Sequence, residues 1–389
     1  MTRWIQAATL SALALAAAHP SARGQSPQPR PATELHLSAE PILSIGMLEG
    51  PNEYLLAGIN AGARLADGSV VVSDRQHFRV QRFSARGEHL WSRGREGEGP
   101  GEFEYVRIAE GCASEESIVV YDIWTTRVYV FDGEGNLVNE YRFLYNGLPL
   151  RDFACAPGGG LGFLGSSVGM GEESVEPGEL YRELLSLGSA ELGSTATVTL
   201  RENIPSSEQR LLGPGSSMPG SIWAHEVVFA ATDEGVWLGT SEDYEVELVG
   251  WTGETLRRIR WEGADLAVTQ GDVDRYRDAL EERYRDDDDP DWRARFESTW
   301  EWESEIVPEK FPAYDRLLVG DDGVLWVHDY IRPGERNEWF GFDGEGRWVR
   351  TLVLPPRVHL LDVGDDWALV RTRDDLGVQR VEVRGVVEG

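Results

Sequence analysis

The chain has 389 residues and a formal charge of −30 at pH 7, with 67 acidic side chains against 37 basic ones. An acidic surplus of that size excludes nucleic acid and anionic lipid as partners held by general electrostatic attraction. Apolar residues at 41% and aromatic residues at 10% suffice for a folded core of one large or two ordinary domains.

The opening stretch, MTRWIQAATLSALALAAAHPSARGQS, places Arg3 before an apolar run from Trp4 to Ala18 and then small residues, which is the layout of a secretory signal peptide. Residues 1–24 are expected to be removed, and loss of Arg3 and Arg23 shifts the net charge to about −32. The run is short for a bilayer, nothing later reaches about 18 consecutive apolar residues, and no cysteine follows to carry a lipid. An exported protein, periplasmic or secreted, without a membrane anchor is the expectation. The Pro-rich residues 25–33 read as a flexible leader, and residues 34–389 as the folded unit.

From residue 59 onward the chain repeats itself. LADGSVVVSDRQHFRVQRFSARGEHL (65–90), ASEESIVVYDIWTTRVYVFDGEGNLV (113–138) and ATDEGVWLGTSEDYEVELVGWTGETL (231–256) align without gaps. Val70, Ile118 and Val236 open an apolar strand, Val80, Val128 and Val246 begin the next, and Gly87, Gly135 and Gly253 turn into a third. A fourth copy, residues 320–349, follows the same plan with four extra residues, and weaker copies lie at 150–201 and 357–387. Short runs of alternating polarity broken by Asp-Gly and Gly-x-Gly turns are the period-2 signal of antiparallel strands. Recurrence every 40 to 50 residues, with about four strands per copy, predicts an all-β β-propeller.

Six blades are expected, at 59–95, 104–145, 148–201, 221–262, 313–354 and 357–387. The last holds only three strands, and ELHLSAEPILSIG (34–46) is a lone strand before the first blade. That segment is therefore expected to complete the sixth blade and close the ring without an open edge.

The units VVVSDRQHFRVQRFSARGEHL and IVVYDIWTTRVYVFDGEGNLV resemble NHL-type repeats, and GREGEGPGEF (94–103) resembles the signature of exported bacterial six-bladed β-propellers. The resemblance implies the fold. It does not choose between enzyme and binding module, because sister families contain both.

GREGEGPGEF also resembles a phosphate loop superficially. Glu96, Glu98 and Glu102 would repel a phosphate, Pro100 removes a donor, and no helix pattern follows, so a structural crossover between blades one and two is expected. The insertions at 166–178, 205–220, 264–312 and 330–336 all fall where loops emerge on one face. The largest, 264–312, predicts two helices. One is capped by Thr269 with a stripe of Val273, Tyr276, Leu280 and Tyr284; the other carries Trp292, Phe296 and Trp300. Together they are expected to form a helical lid beside the channel mouth.

Strand ends facing that side are Asp74, Asp122, Gly165, Thr240, Asp329 and Arg371, and the aspartates there are expected to accept backbone N–H bonds. Just beyond them lie Arg75, His77, Trp124, Glu242, Tyr330 and Arg373, a polar and aromatic rim suited to binding a ligand. No cofactor is predicted. A divalent cation, Ca or Zn, would require distant His225, His328 and His359 to converge. Cys112 and Cys155 occupy equivalent positions in blades two and three, as a disulfide away from the insertions or as buried thiols. The expected function is a monomeric, non-catalytic binding or scaffold propeller recognising a protein, peptide or glycan, with no nucleic acid. The alternative is a metal-assisted lyase or lactone hydrolase acting at the channel mouth.

Overall fold

The computed structural model describes residues 27–389 except 32, 167–179, 214–215, 220–221, 286–288 and 333–334. The signal peptide expected over 1–24, almost all of the insertion at 166–178 and most of the acidic run at 286–289 lie outside the described residues. No helix of the described chain is long and apolar enough to cross a membrane.

The chain folds as successive antiparallel meanders. After β1 (Glu34–Ile45) come β2 (Ile59–Arg64), β3 (Val70–Asp74), β4 (Arg79–Phe83) and β5 (His89–Arg93). The next are β6 (Val106–Ala113), β7 (Ser117–Asp122), β8 (Arg127–Asp132) and β9 (Leu137–Arg142). A short β10 (Leu144–Tyr145) leads into β11 (Leu148–Cys155), β12 (Gly160–Ser166), β13 (Leu180–Glu191), β14 (Thr197–Gly213) and β15 (Ser216–Pro219). Then follow β16 (Val228–Thr232), β17 (Gly235–Gly239), β18 (Glu245–Gly250) and β19 (Thr255–Arg260). Helices α1 (Gln270–Tyr284) and α2 (Trp292–Glu303) precede β20 (Tyr314–Val319), β21 (Leu325–Asp329), β22 (Asn337–Phe342) and β23 (Trp348–Leu354). The chain closes with β24 (His359–Val363), β25 (Trp367–Arg373) and β26 (Gln379–Glu388).

β2–β5 and β16–β19 stand as separate four-stranded sheets. The meander β6–β9 touches the next through a parallel bridge between β6 and β11, with Glu110 opposite Ala154. β1 lies antiparallel to β26, with Leu35 opposite Glu388 and Ile45 opposite Val381, and parallel to β23, so it knits the end of the chain to the meander before it. The result is an all-β fold of curled sheets, propeller-like, with two helices.

Packing explains the arrangement. The central strands β3, β7, β17 and β22 are buried at nearly every position, so their meanders must be covered on both faces. Val80, Phe103, Ile108 and Tyr129 join the β2–β5 sheet to β6–β9. Tyr121, Phe153 and Phe163 join β6–β9 to β11–β14. Trp237, Trp261, Tyr314 and Phe342 join β16–β19 to β20–β23. The circle is completed where Ile59, Val70 and Phe83 meet Leu361, Leu369 and Val381 from the chain's last strands.

Two expectations change. The stretch 205–220, read as an inserted loop, is largely strand: β14 continues to Gly213, its Arg210 opposite Leu180 and its Gln209 opposite Pro219 of β15. A long partner in β13 supplies the ladder for residues of weak strand propensity. The leader, read as flexible, is held at two points. Gln28 bonds the backbone of Arg260, Glu262, Gly346 and Trp348, while Arg30 makes a two-pronged contact with Glu338 at 2.8 and 2.9 Å. The sequence showed the Pro-rich composition but not the polar sockets waiting for Gln28 and Arg30.

Candidate functional site at the axial mouths

The first strands β2, β6, β11, β16, β20 and β24 all contribute to a central cavity of about 1150 Å3. It opens between the tight hairpin turns near Leu65, Ser114, Asp233 and Asp321, away from the long loops. The rim expected from the sequence lies at the other end. There a second hollow of about 320 Å3 is bounded by Glu226, Ser241, Tyr314, Asp315 and Tyr330.

At the rim the strand-end aspartates are structural. Asp122 accepts from the backbone N–H groups of Glu104, Tyr105, Trp124 and Thr125 at 2.7 to 3.1 Å. Asp74 accepts from Gly58 N at 2.9 Å and faces the His77 ring nitrogen at 2.7 Å. A short carboxylate can gather the crossover and the following turn at once, and so fixes both loops. Asp329, the corresponding residue in β21, differs: the Tyr244 hydroxyl reaches it at 3.5 Å. Burial first, then Glu335 and Glu338, push its carboxyl up to about 7.

The crossover GREGEGPGEF behaves as the glycine pattern implied. Phe103 is fully buried against Tyr129, edge to face at 4.9 Å, and Glu102 folds back to accept from Gly99 N. Gly94 has φ +104°, and a Cβ there would stand 2.3 Å from the Phe103 ring, so no other residue fits the path.

The six rim residues divide into groups. Arg75 lies over the Tyr105 ring at 5.4 Å, and Tyr105 in turn packs beside Trp124 at 5.9 Å. Trp124 is 69% exposed. His77 is spent on Asp74. Across the mouth, Glu242 sits near Lys310 and Tyr314, and Tyr330 stacks on Phe311 at 6.4 Å, its hydroxyl pushed up to about 12 by burial. Arg373 lies two residues from Arg371 on β25. Arg75, Tyr105 and Trp124 thus form one continuous surface, whereas Glu242 and Tyr330 belong to another beneath the helices.

The helical insert docks on that second surface. Asp272 accepts from Thr269 N at 2.8 Å and starts α1. Tyr276 meets Trp223 edge-on at 5.8 Å, Trp223 packs on Phe311 at 4.6 Å, and Leu280 of α1 and Phe296 of α2 are buried.

The three histidines do not converge. His225 has its ring nitrogens 3.1 Å from the carbonyl oxygens of Ser241 and Lys310. His328 faces Asp315 at 2.6 Å and Asn337 at 3.1 Å and stacks on Trp339. His359 is near His328, and burial, then Arg371, hold its ring down at about 4. Among the described residues no group of three or more His, Cys, Asp or Glu side chains is placed to hold a metal ion. His225 precedes β16, His328 lies on β21 and His359 opens β24, so the three occupy non-equivalent places in their meanders.

The axial belt escaped sequence reasoning. Arg107 bonds Asp152 at 2.8 Å, and Arg316 reaches Glu110 at 3.5 Å and the Leu360 carbonyl at 2.6 Å. Glu110 is raised by burial despite both arginines, and its Oε1 has no partner. The available signal was a charged residue inside an otherwise apolar first strand, as in VRIAEGCA and YDRLLV, which is tolerable only if that side chain faces the axis. Lower in the cavity, Cys112 and Cys155 are joined in a disulfide with Cα atoms 4.9 Å apart. Gly111 beside it has φ +69°, and a Cβ would stand 2.2 Å from the Cys155 carbonyl oxygen.

No protein-family model matches the chain, and no curated protein matches it. Among solved structures, a DUF4221 family member from Bacteroides vulgatus is similar over 92% of this chain and 99% of its own, at 9% identity and a TM-score of 0.52. A presumed exported protein from Bacteroides fragilis is similar over 93% of this chain and 99% of its own, at 12% identity and a TM-score of 0.50. A gluconolactonase from Xanthomonas campestris covers 85% of this chain and 88% of its own, at 12% identity and a TM-score of only 0.42. At these identities the likeness is one of fold, and it places this chain among propeller-like all-β proteins.

Proposed function

We propose that this chain is an exported, monomeric six-bladed propeller of four-stranded blades that binds a peptide, glycan or protein partner at its loop-rich mouth. The blade count is supported by the six meanders and by the last strands packing against the first. The observation that carries the binding reading is the Arg75–Tyr105–Trp124 surface. A tryptophan left 69% exposed, on a loop whose backbone is pinned by Asp122, is a rigid apolar platform bounded by a cation. Such platforms stack on sugar faces or on peptide side chains at little cost in ordering.

The metal-assisted lyase or lactonase reading has weaker support, because His225 faces two carbonyl oxygens and no group of three metal-ligating side chains forms among the described residues. The test is a glycan and peptide array probed with the chain from residue 25 onward, repeated with Trp124→Ala. A ligand bound at least tenfold more weakly by the variant supports the proposal. Turnover of a lactone by metal-loaded protein, unchanged in Trp124→Ala, would overturn it.

A further inference from the structure

Most arginines of this chain have a carboxylate partner, as 67 acids against 36 arginines and Lys310 would lead one to expect. Three at the rim do not. Among the described residues, Arg75, Arg371 and Arg373 form no ion pair, although they lie at one side of one mouth.

Their geometry is set by the strands. Arg371 and Arg373 are two apart on β25 and share a face. His359 is directly opposite Arg371 on β24 and joins that face. The Arg371 Nη1 crosses to the Ile59 carbonyl at 2.6 Å, while the Arg75 backbone N–H donates to the neighbouring Gly58 carbonyl at 2.9 Å. The Arg371 guanidinium and the Arg75 backbone are thereby held on adjacent peptide units at the start of β2. Arg316, bonded to the Leu360 carbonyl, is a further cation near His359.

The nearby acids are committed elsewhere. Asp74 holds Gly58 N and His77, Asp315 holds His328, Asp374 holds Arg380 at 2.8 Å, and Glu110 lies against Arg316 deeper in the axis. Arg371 is held below the usual arginine range by burial first and then by Arg373, Arg316 and Arg75. Converging cations in a strongly acidic chain are unfavourable unless an anion joins them. Arg371 uses one of its N–H donors, and among the described residues the side chains of Arg373 and Arg75 form no hydrogen bond, so planar forks remain to grip oxygen atoms.

We propose that Arg371, Arg373 and Arg75, with the His359 ring, form an oxyanion subsite at the rim, taking a carboxylate or phosphate group of the ligand. This rests on the reading of the rim as a binding face and assigns the ligand's charge.

The test is calorimetric titration of the chain from residue 25 onward, at low ionic strength, with inorganic phosphate in one arm and glucuronate in the other. Binding in at least one arm is expected, and the tighter arm identifies the chemistry. Arg373→Gln, which removes no contact within the fold, should weaken binding about tenfold, and Arg371→Gln with Arg373→Gln at least about a hundredfold. Thermal unfolding of the unliganded Arg373→Gln variant should match the parent. Failure of both arms up to about 50 mM, a concentration that detects even very weak sites, overturns the subsite, as does equal binding by Arg373→Gln. An array ligand that needs Trp124 but not Arg373 would leave the binding face standing and remove only the subsite. Oxyanion binding retained in Trp124→Ala with no array ligand at all would do the reverse.

Discussion

The two ends of the axis are made from the same strands, yet they are built differently. At the cavity's open end the connections are tight turns such as Leu65–Gly68, Ala156–Gly159 and Gly320–Gly323, each closed by one backbone bond, and the Cys112–Cys155 disulfide ties two of the first strands together. At the rim end, long crossovers are held by side chains: Asp122 takes four backbone N–H groups, and Asp74 takes the crossover before β2. The first end is closed by covalent and turn chemistry and carries acids such as Asp233, Asp321 and Asp322. The second carries an aromatic surface and arginines that have no carboxylate partner among the described residues. Short turns constrain the backbone so tightly that little can be displayed on them, whereas a loop pinned at its base by one carboxylate can present whatever its tip carries.

The largest effect that would sharpen this contrast comes from the disulfide. The bridge closes a segment with a sequence separation of 43, for which loop-closure entropy gives about 4 kcal/mol. Cys112→Ser with Cys155→Ser is expected to lose roughly that much in urea unfolding while leaving rim binding unchanged. A loss of affinity equal to the loss at the rim's own variants would mean the two ends are not independent.

Asp122→Ala should follow, costing about 3 kcal/mol because several loop N–H groups lose their acceptor together. Asp122→Asn, which keeps one acceptor oxygen, should recover part of that in the same unfolding measurement. A variant as stable as the parent would show that the crossover is held by its glycines alone.

pH separates the ends more finely. Asp329 at the rim and Asp362 in the cavity both have carboxyls pushed up to about 7, chiefly by burial, against 3.8 for the ordinary group. The folded state then holds the extra proton, so the stability each contributes is present below about pH 4 and is lost as pH rises through 7. His359, held at about 4, runs the other way, its contribution lost as pH falls from about 6.5 through 4. Asp329→Asn should remove up to about 1.4 kcal/mol per pH unit of slope between pH 4 and 7, read from urea midpoints. An unchanged slope would place the titration at Asp362 alone.

The smallest effect on stability belongs to Trp124→Ala, within about 0.5 kcal/mol because the ring is mostly in water. Its effect on ligand binding should nonetheless be the largest of any single rim change. A destabilisation of several kcal/mol would instead make Trp124 a packing residue.

Much of the fold was legible because it rests on local chemistry repeated along the chain. The alternation around Val70, Ile118 and Val236 marks strands, and Thr269 with Asp272 marks the start of α1. The surplus strand at 34–46 pointed to the last strands, and β1 lies against β26. Less was legible where the partner is distant in sequence. Nothing near Gln28 announces the Trp348 backbone, and nothing in PSSEQRLLG announces a strand, since its ladder is supplied by β13. For the site, Arg75, Trp124 and Arg373 were visible as rim positions, but Tyr105 between the first two, and Arg371 as the centre of a cationic group, were not. Grouping depends on which blades become neighbours and on how high each side chain stands along the axis.

The sequence by itself determined the strand period, the turns, the capped helix and the large acidic surplus, because these follow from residues a few positions apart. Only the tertiary structure decided that three arginines from the first and last meanders lie on one side of the mouth without a carboxylate partner among the described residues, and that His225, His328 and His359 take separate hydrogen-bond partners. Both outcomes depend on ring closure, which brings together residues some 300 positions apart, such as Ile59 and Arg371, whose separation along the chain carries no trace of the contact.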